Sequence, residues 1–93
     1  MEAVMMVPKE SIGQYKFNRE EVMEALEDRK DRAFRLIRAL KLGNAYHGKV
    51  KITFQTRSGV KSVETTVWAV GDRYVSLKAG IHIPISSILE VAF

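Results

Sequence analysis

The sequence predicts an α+β domain, mainly β, in which one N-terminal helix packs on a small five-stranded antiparallel barrel. Three observations carry the prediction. Apolar residues recur at helical spacing from Asn18 to Leu42. The stretch from Lys49 to Val70 alternates with a period of two on both sides of a turn. Short apolar runs separated by turn residues then continue to Phe93.

The helix is expected over about 19–42. Asn18 offers an N-cap, and Glu21 three residues later completes a capping-box pattern. Phe17 and Val22 are spaced for a hydrophobic staple. Val22, Leu26, Ala33, Ile37 and Leu40 form the apolar stripe, widened by Met23, Phe34 and Leu36, and Gly43-Asn44 offers a left-handed stop. Acidic residues crowd the first half and Arg32, Arg35, Arg38 and Lys41 the second, which complements the helix dipole. Arg29 and Lys30 fall within the stripe, either snorkelling at its edges or facing a partner. Before the helix, residues 1–17 read as an extension, largely flexible, in which Val4 to Val7 allows a short edge strand ended by Pro8. The single helix-plus-barrel domain is then 18–93, with the barrel at about 48–93.

In the first strand Val50, Ile52, Phe54 and Thr56 alternate with Lys49, Lys51, Thr53, Gln55 and Arg57. With Ser58-Gly59 as a two-residue turn, Phe54 faces Val63, Ile52 faces Thr65 and Val50 faces Val67. The second run carries Val63, Thr65, Val67 and Ala69 on one parity but Trp68 and Val70 on the other, so it is expected to bend from one layer to another. Gly71-Asp72 turns into a third strand at Tyr74–Lys78, and Ala79-Gly80 into a fourth at Ile81–Ile83, ended by Pro84. Ser86-Ser87 suits a single 3₁₀ turn before a closing strand at Leu89–Phe93. Five short strands hide both faces best by curling into a partly open barrel.

The pattern Val75-x-Leu77-x-x-Gly80 followed by Ile83-Pro84-Ile85-x-x-Ile88-x-x-Val91 resembles the SH3-like small barrels, and among them the Sm-like branch, over Gly48 to Phe93. The layout is also similar to that of Rho-binding antiterminators, which put an Sm-like barrel behind a helix, and to small helix-plus-barrel families without an assigned function. The resemblance implies RNA binding in the loops after the second and fourth strands, through an Asn or Asp, aromatic stacking and basic residues. Those loops are Gly71-Asp72-Arg73 and Ile85-Ser86-Ser87 here, and the second lacks the Arg-Gly of the eukaryotic branch.

Ninety-three residues, 46% hydrophobic and 28% charged, suit one soluble domain. The absence of cysteine excludes disulfides, thiolate metal sites and a cysteine nucleophile. No apolar run approaches a membrane span and the start lacks a signal-peptide pattern, so a cytoplasmic location is expected. His47 and His82 have no carboxylate at a motif spacing and read as hydrogen-bonding residues, not metal ligands. Ser58-x-x-Lys61 sits on a turn, not at a helix start, and carries no hydrolase motif. No enzyme activity, cofactor or metal is expected.

A net charge of +4 permits an anionic partner without requiring one. Two readings follow. The leading one is a protein-interaction or assembly module, joining an unknown protein partner or a second copy, with Met23, Phe34 and Leu36 as the interface because the helix stripe is wider than the barrel needs. The alternative is nucleic-acid binding, RNA above all, through Lys49, Lys51, Arg57, Lys61, Trp68 and Arg73. There the outward strand parity supplies cations, and Trp68, opposite Lys49 in the expected register, supplies a stacking surface. The bland counterpart is a solvated strand face whose lysines guard an edge.

Overall fold

The structure, a computed structural model, describes residues 4–93; the first three residues of the expected extension lie outside them. In chain order the elements are β1 (Met5–Met6), a 3₁₀ helix (Lys9–Gln14), α1 (Leu26–Tyr46), β2 (Val50–Thr56), β3 (Gly59–Thr65), β4 (Val67–Val70), β5 (Tyr74–Leu77), β6 (Ile81–Pro84) and β7 (Ile88–Ala92). One long helix thus stands against two sheets, one ordered β1-β3-β2-β7 and the other β4-β5-β6. The strands do not close into the expected five-stranded barrel, nor are all pairs antiparallel, since β1 runs parallel to β3. Two breaks divide the sheets. At Thr66 the long second run leaves one sheet as β3 and enters the other as β4, which is the predicted bend. At Pro84, which has no N–H to give a neighbour, the chain enters the 3₁₀ turn Ile85–Ser87, so β6 and β7 are not paired.

Inward parity in the first hairpin is as the alternation predicts: Val50, Ile52, Phe54 and Thr56 are all buried. Of the second run's inward set, Val63, Thr65 and Val67 are buried, whereas Ala69 is exposed. The register differs by two residues. Ile52 pairs with Val63 and Val50 with Thr65, so the loop is Arg57-Ser58 instead of Ser58-Gly59. Thr56 explains the shift. Its hydroxyl accepts a hydrogen bond from the Ser58 N–H (3.1 Å) and donates one to the Gly59 carbonyl (2.8 Å), closing the turn one residue early. A slip of two keeps every side chain on its face, which is why alternation alone does not detect it.

The described part of the extension packs onto the domain instead of trailing from it. Beyond the β1 pairing, the Val7 N–H donates to the Ser62 carbonyl, and the 3₁₀ helix lies against β3 and β6 with Ile12 1% exposed. Phe17 stacks on Phe54, ring centroids 5.9 Å apart.

The helix departs furthest from expectation. It begins at Leu26, with Ala25 as a cap that makes no side-chain bond, so Asn18 and Glu21 form no capping box. It also runs through Gly43-Asn44 to Tyr46, where His47 supplies the left-handed residue (φ 54°) that ends it. Its buried face is Arg32, Leu36, Ala39 and Gly43, which pack on β4 and β7, while Leu26, Ala33, Phe34 and Ile37 face solvent. Close approach decides this phase. At Gly43 an added Cβ would collide with the Val67 carbonyl oxygen, so only the Ala39-Gly43 face lets the helix backbone reach β4.

Gly43→Ala therefore tests the packing. At an open helical position this change stabilises by about 1 kcal/mol. Here the overpacking against Val67 is expected to prevail, with urea unfolding reporting a net loss of about 2 kcal/mol. Unchanged or increased stability would contradict the close approach.

Candidate binding groove

A groove of about 850 Å³ opens where the two loops implicated by the Sm-like resemblance meet the segment that precedes α1. The β4–β5 turn is closed by the Gly71 N–H donating to the Tyr74 carbonyl (2.9 Å), which presents Asp72 and Arg73 at its tip. The Ile85 N–H donates to the Arg73 carbonyl (2.8 Å) and fastens the second loop to the first. Tyr74 and His82 lie on the outward parity of β5 and β6, because Val75 and Ile83 on the other parity are fully buried. The two rings meet edge to face at 6.4 Å, and Ser76 Oγ lies 3.0 Å from His82 Nδ1. Tyr74 is 53% exposed, leaving much of its ring for a planar ligand. A smaller hollow of about 450 Å³ continues past Ala69 and Val70 and shares Asp72, Arg73, Tyr74 and His82 with the groove. Both volumes fall within the range of ligand sites, which run from about 300 to 1,000 Å³.

The far wall comprises Phe17, Asn18, Arg19 and Glu21. This segment is held by Glu21, whose carboxylate pairs with Arg32 through both oxygens, Oε2 accepting from Nη1 at 2.7 Å and Oε1 from Nη2. Arg32 Nη1 also donates to the Ile88 carbonyl (3.0 Å), and the Met23 N–H donates to Glu21 Oε2 (3.0 Å). Arg29 folds back to donate to the Met23 and Glu24 carbonyls instead of snorkelling outward. The Arg32 hydrogen bonds hold the Glu21 carboxyl below its ordinary 4.5, opposed by desolvation and helped by Met23 and by the charges of Arg32 and Arg29. With Glu21 neutralised by Arg32, the exposed charges of the groove are Arg19, Arg73 and Asp72, a net cation beside an aromatic face.

The six cations and aromatics expected to bind nucleic acid are not gathered together. Arg73 lies in the groove. Lys49 immediately precedes β2 and Lys51 lies at its start, and Arg57 is at the hairpin tip, roughly 20–26 Å further along an extended strand. Lys51 faces Glu64 across the ladder, and Glu90 flanks the next outward position, so that face is mixed in charge. Lys61 sits over the Tyr15 ring at 5.8 Å. Trp68 is 54% exposed on β4, in the other sheet from the lysines, and Lys49 is not its partner. The expected interface residues do not share a face either: Phe34 is 72% exposed, Met23 half-buried and Leu36 fully buried.

Alternation and charge counting missed Arg19, Tyr74 and His82. The signal available was Asp72-Arg73-Tyr74 in a single turn, with His82 on the outward parity of the next strand. His47 and His82 lie on separate elements, and among the described residues no group of three or more His, Cys, Asp or Glu is placed to hold a metal ion. Among the same residues no helix is long and apolar enough to cross a membrane. Compared with known proteins, the chain matches no family model, no curated protein and no solved structure.

Glu21→Gln isolates the ion pair that holds the far wall. The folded carboxyl titrates below 4.5, so its contribution is complete above that value and is lost as the pH falls through the lower folded value. The variant is expected to be less stable at pH 7 by about 1–3 kcal/mol, with the gap from wild type closing in acid. Unfolding curves that stay equally separated from pH 7 to pH 3 would contradict the assignment.

Proposed function

We propose that the chain is a non-enzymatic binding module on a fold of the SH3-like, Sm-like type, and that its groove takes single-stranded nucleic acid. The fold assignment is supported by the order β7-β2-β3, by the break at Thr66 that carries the same run into β4-β5-β6, and by the 3₁₀ turn between β6 and β7. Joined end to end through that bend, β2 to β6 make a four-stranded antiparallel meander, with β7 returning to pair with β2 and a helix before it.

One observation carries the ligand. The loops at Asp72-Arg73 and Ile85-Ser86 line the same groove, together with Arg19 and an exposed tyrosine, Tyr74. A base stacked on Tyr74 would leave its phosphate near Arg73 or Arg19, and Asp72 would accept from a base N–H or ribose hydroxyl. Ser76 Oγ and His82 Nδ1 lie within hydrogen-bond reach, but among the described residues no third group is hydrogen-bonded to His82 to orient it, and binding is the chemistry proposed for the groove. The cytoplasm is the compartment this reading assumes.

A second reading, a protein-interaction or assembly module, is favoured by the outer face of α1, where Leu26, Phe34 and Ile37 are exposed together. The two surfaces lie on different elements and are compatible.

Anisotropy of labelled single-stranded RNA and DNA, about eight nucleotides long, tests the groove. Binding should weaken with added salt, and Tyr74→Ala and Arg73→Glu should each raise Kd about tenfold. Lys51→Glu on the mixed-charge strand face should change it less than about twofold. No binding at low salt, or equal damage from Lys51→Glu, would remove the groove from consideration.

A further inference from the structure

Among the described residues, much of the outer face of α1 is left exposed. Leu26 is 61% exposed, Phe34 72% and Ile37 44%, with Ala33 exposed between them. Leu26, Lys30, Ala33, Ile37, Leu40 and Asn44 recur at alternating spacings of four and three, the spacing of a two-helix coil's seam, with Leu40 half-buried and also packed on the chain's own core. Beside that seam runs a line of residues seven apart: Glu27, Phe34 and Lys41. Glu27 and Lys41 are exposed, and among the described residues neither has an ion-pair partner; the pairs formed are Arg29–Glu21, Arg32–Glu21 and Arg35–Asp31.

We propose that this face pairs with the same face of a second copy, antiparallel, across a two-fold axis close to Phe34. The charge order selects both the partner and the direction. About the axis Phe34 meets its own counterpart, Glu27 of each chain meets Lys41 of the other, and the arrangement is self-complementary as a two-fold contact requires. A parallel pair would instead set Glu27 level with Glu27 and Lys41 level with Lys41, 14 residues apart along the helix, so the opposite charges would not meet. Lys30, within the seam, keeps its ammonium at the rim on its long stem. The contact centres on a single helix and is small for a specific interface, so the dissociation constant is on the order of micromolar.

The proposal deepens the assembly reading of α1 and is independent of the groove. Sedimentation equilibrium on the full chain, with Glu27→Lys, Lys41→Glu and Phe34→Glu variants, tests it. Wild type should show a monomer–dimer equilibrium, and Phe34→Glu should be monomeric. Glu27→Lys and Lys41→Glu should each raise the dimer Kd about tenfold, because each places two like-charge contacts in its own dimer. An equimolar mixture of those two variants should recover wild-type affinity as a heterodimer, since both contacts are again of opposite sign; any effect of either change on the helix itself persists in the mixture and cannot produce that recovery. A mixture no tighter than the single variants would overturn the antiparallel pairing. A wild type that stays monomeric at several hundred micromolar would overturn self-pairing altogether, and would leave the assembly reading only with a different protein as partner.

Discussion

The Arg32 guanidinium is kept almost wholly out of water, and much of the architecture follows from satisfying it. A buried cation is tolerated only with an anion and further hydrogen-bond acceptors beside it. Here the anion is Glu21 and the additional acceptor is the Ile88 carbonyl, so one side chain ties α1 to the preceding segment and to β7. Pinning Glu21 takes residues 18–25 out of the helix and lays them along the loops, with the Val22 N–H donating to the Ser86 carbonyl at 2.9 Å. The helix start, the docking of β7 and the far wall of the groove thus share one origin. Arg32 Nε is buried and, among the described residues, has no hydrogen-bond partner.

The same constraint explains why the sheets were easier to read than the helix. A strand's inward parity follows from alternation, and Val50, Ile52 and Phe54 occupy the core whichever residues make the turn. The bend at Thr66 was legible because Trp68 and Val70 broke parity after Val67. The precise register was not, since Thr56 selects the turn with its side chain and a shift of two is invisible to hydrophobicity. On the helix, hydrophobic spacing pointed to Leu26, Ala33 and Ile37, but the protein buries the side that is small and can approach. Asn18 and Glu21 form a capping pattern whose carboxylate has a stronger claimant eleven residues on. Sequence spacing registers a local interaction; it cannot weigh that against a buried charge whose partners come from two other segments.

The candidate site was half legible for a related reason. Counting cations along an outward strand face found Lys49, Lys51 and Arg57, yet a strand spreads such residues along its length and its neighbours bring Glu64 and Glu90 beside them. Loops gather charge differently. Arg73 and Asp72 share a turn, the Ile85 N–H docks the next loop against that turn, and Arg19 arrives on a segment held by Phe17 on Phe54, by Glu21 on Arg32 and by the Val22–Ser86 bond. The resemblance named both loops, but the convergence of the pre-helix segment upon them depends on tertiary contacts that no motif encodes.

A helix that leaves Leu26, Phe34 and Ile37 outward divides its apolar residues between two faces. Its inward face combines close approach, through Ala39 and Gly43 against β4, with the burial of Leu36 and the partial burial of Leu40 and Leu42 against the core. Its outward face carries side chains worth about 1.5–3 kcal/mol each on full burial, a gain the isolated chain does not collect. Isolated exposed apolar residues are common on protein surfaces and signify little. Leu26, Ala33, Phe34 and Ile37 are different because they are contiguous on one rigid element and are bordered by charges of opposite sign at its two ends. Folding of this chain settles which helix face goes inward, and among the described residues leaves Leu26, Phe34 and Ile37 on the other face in water.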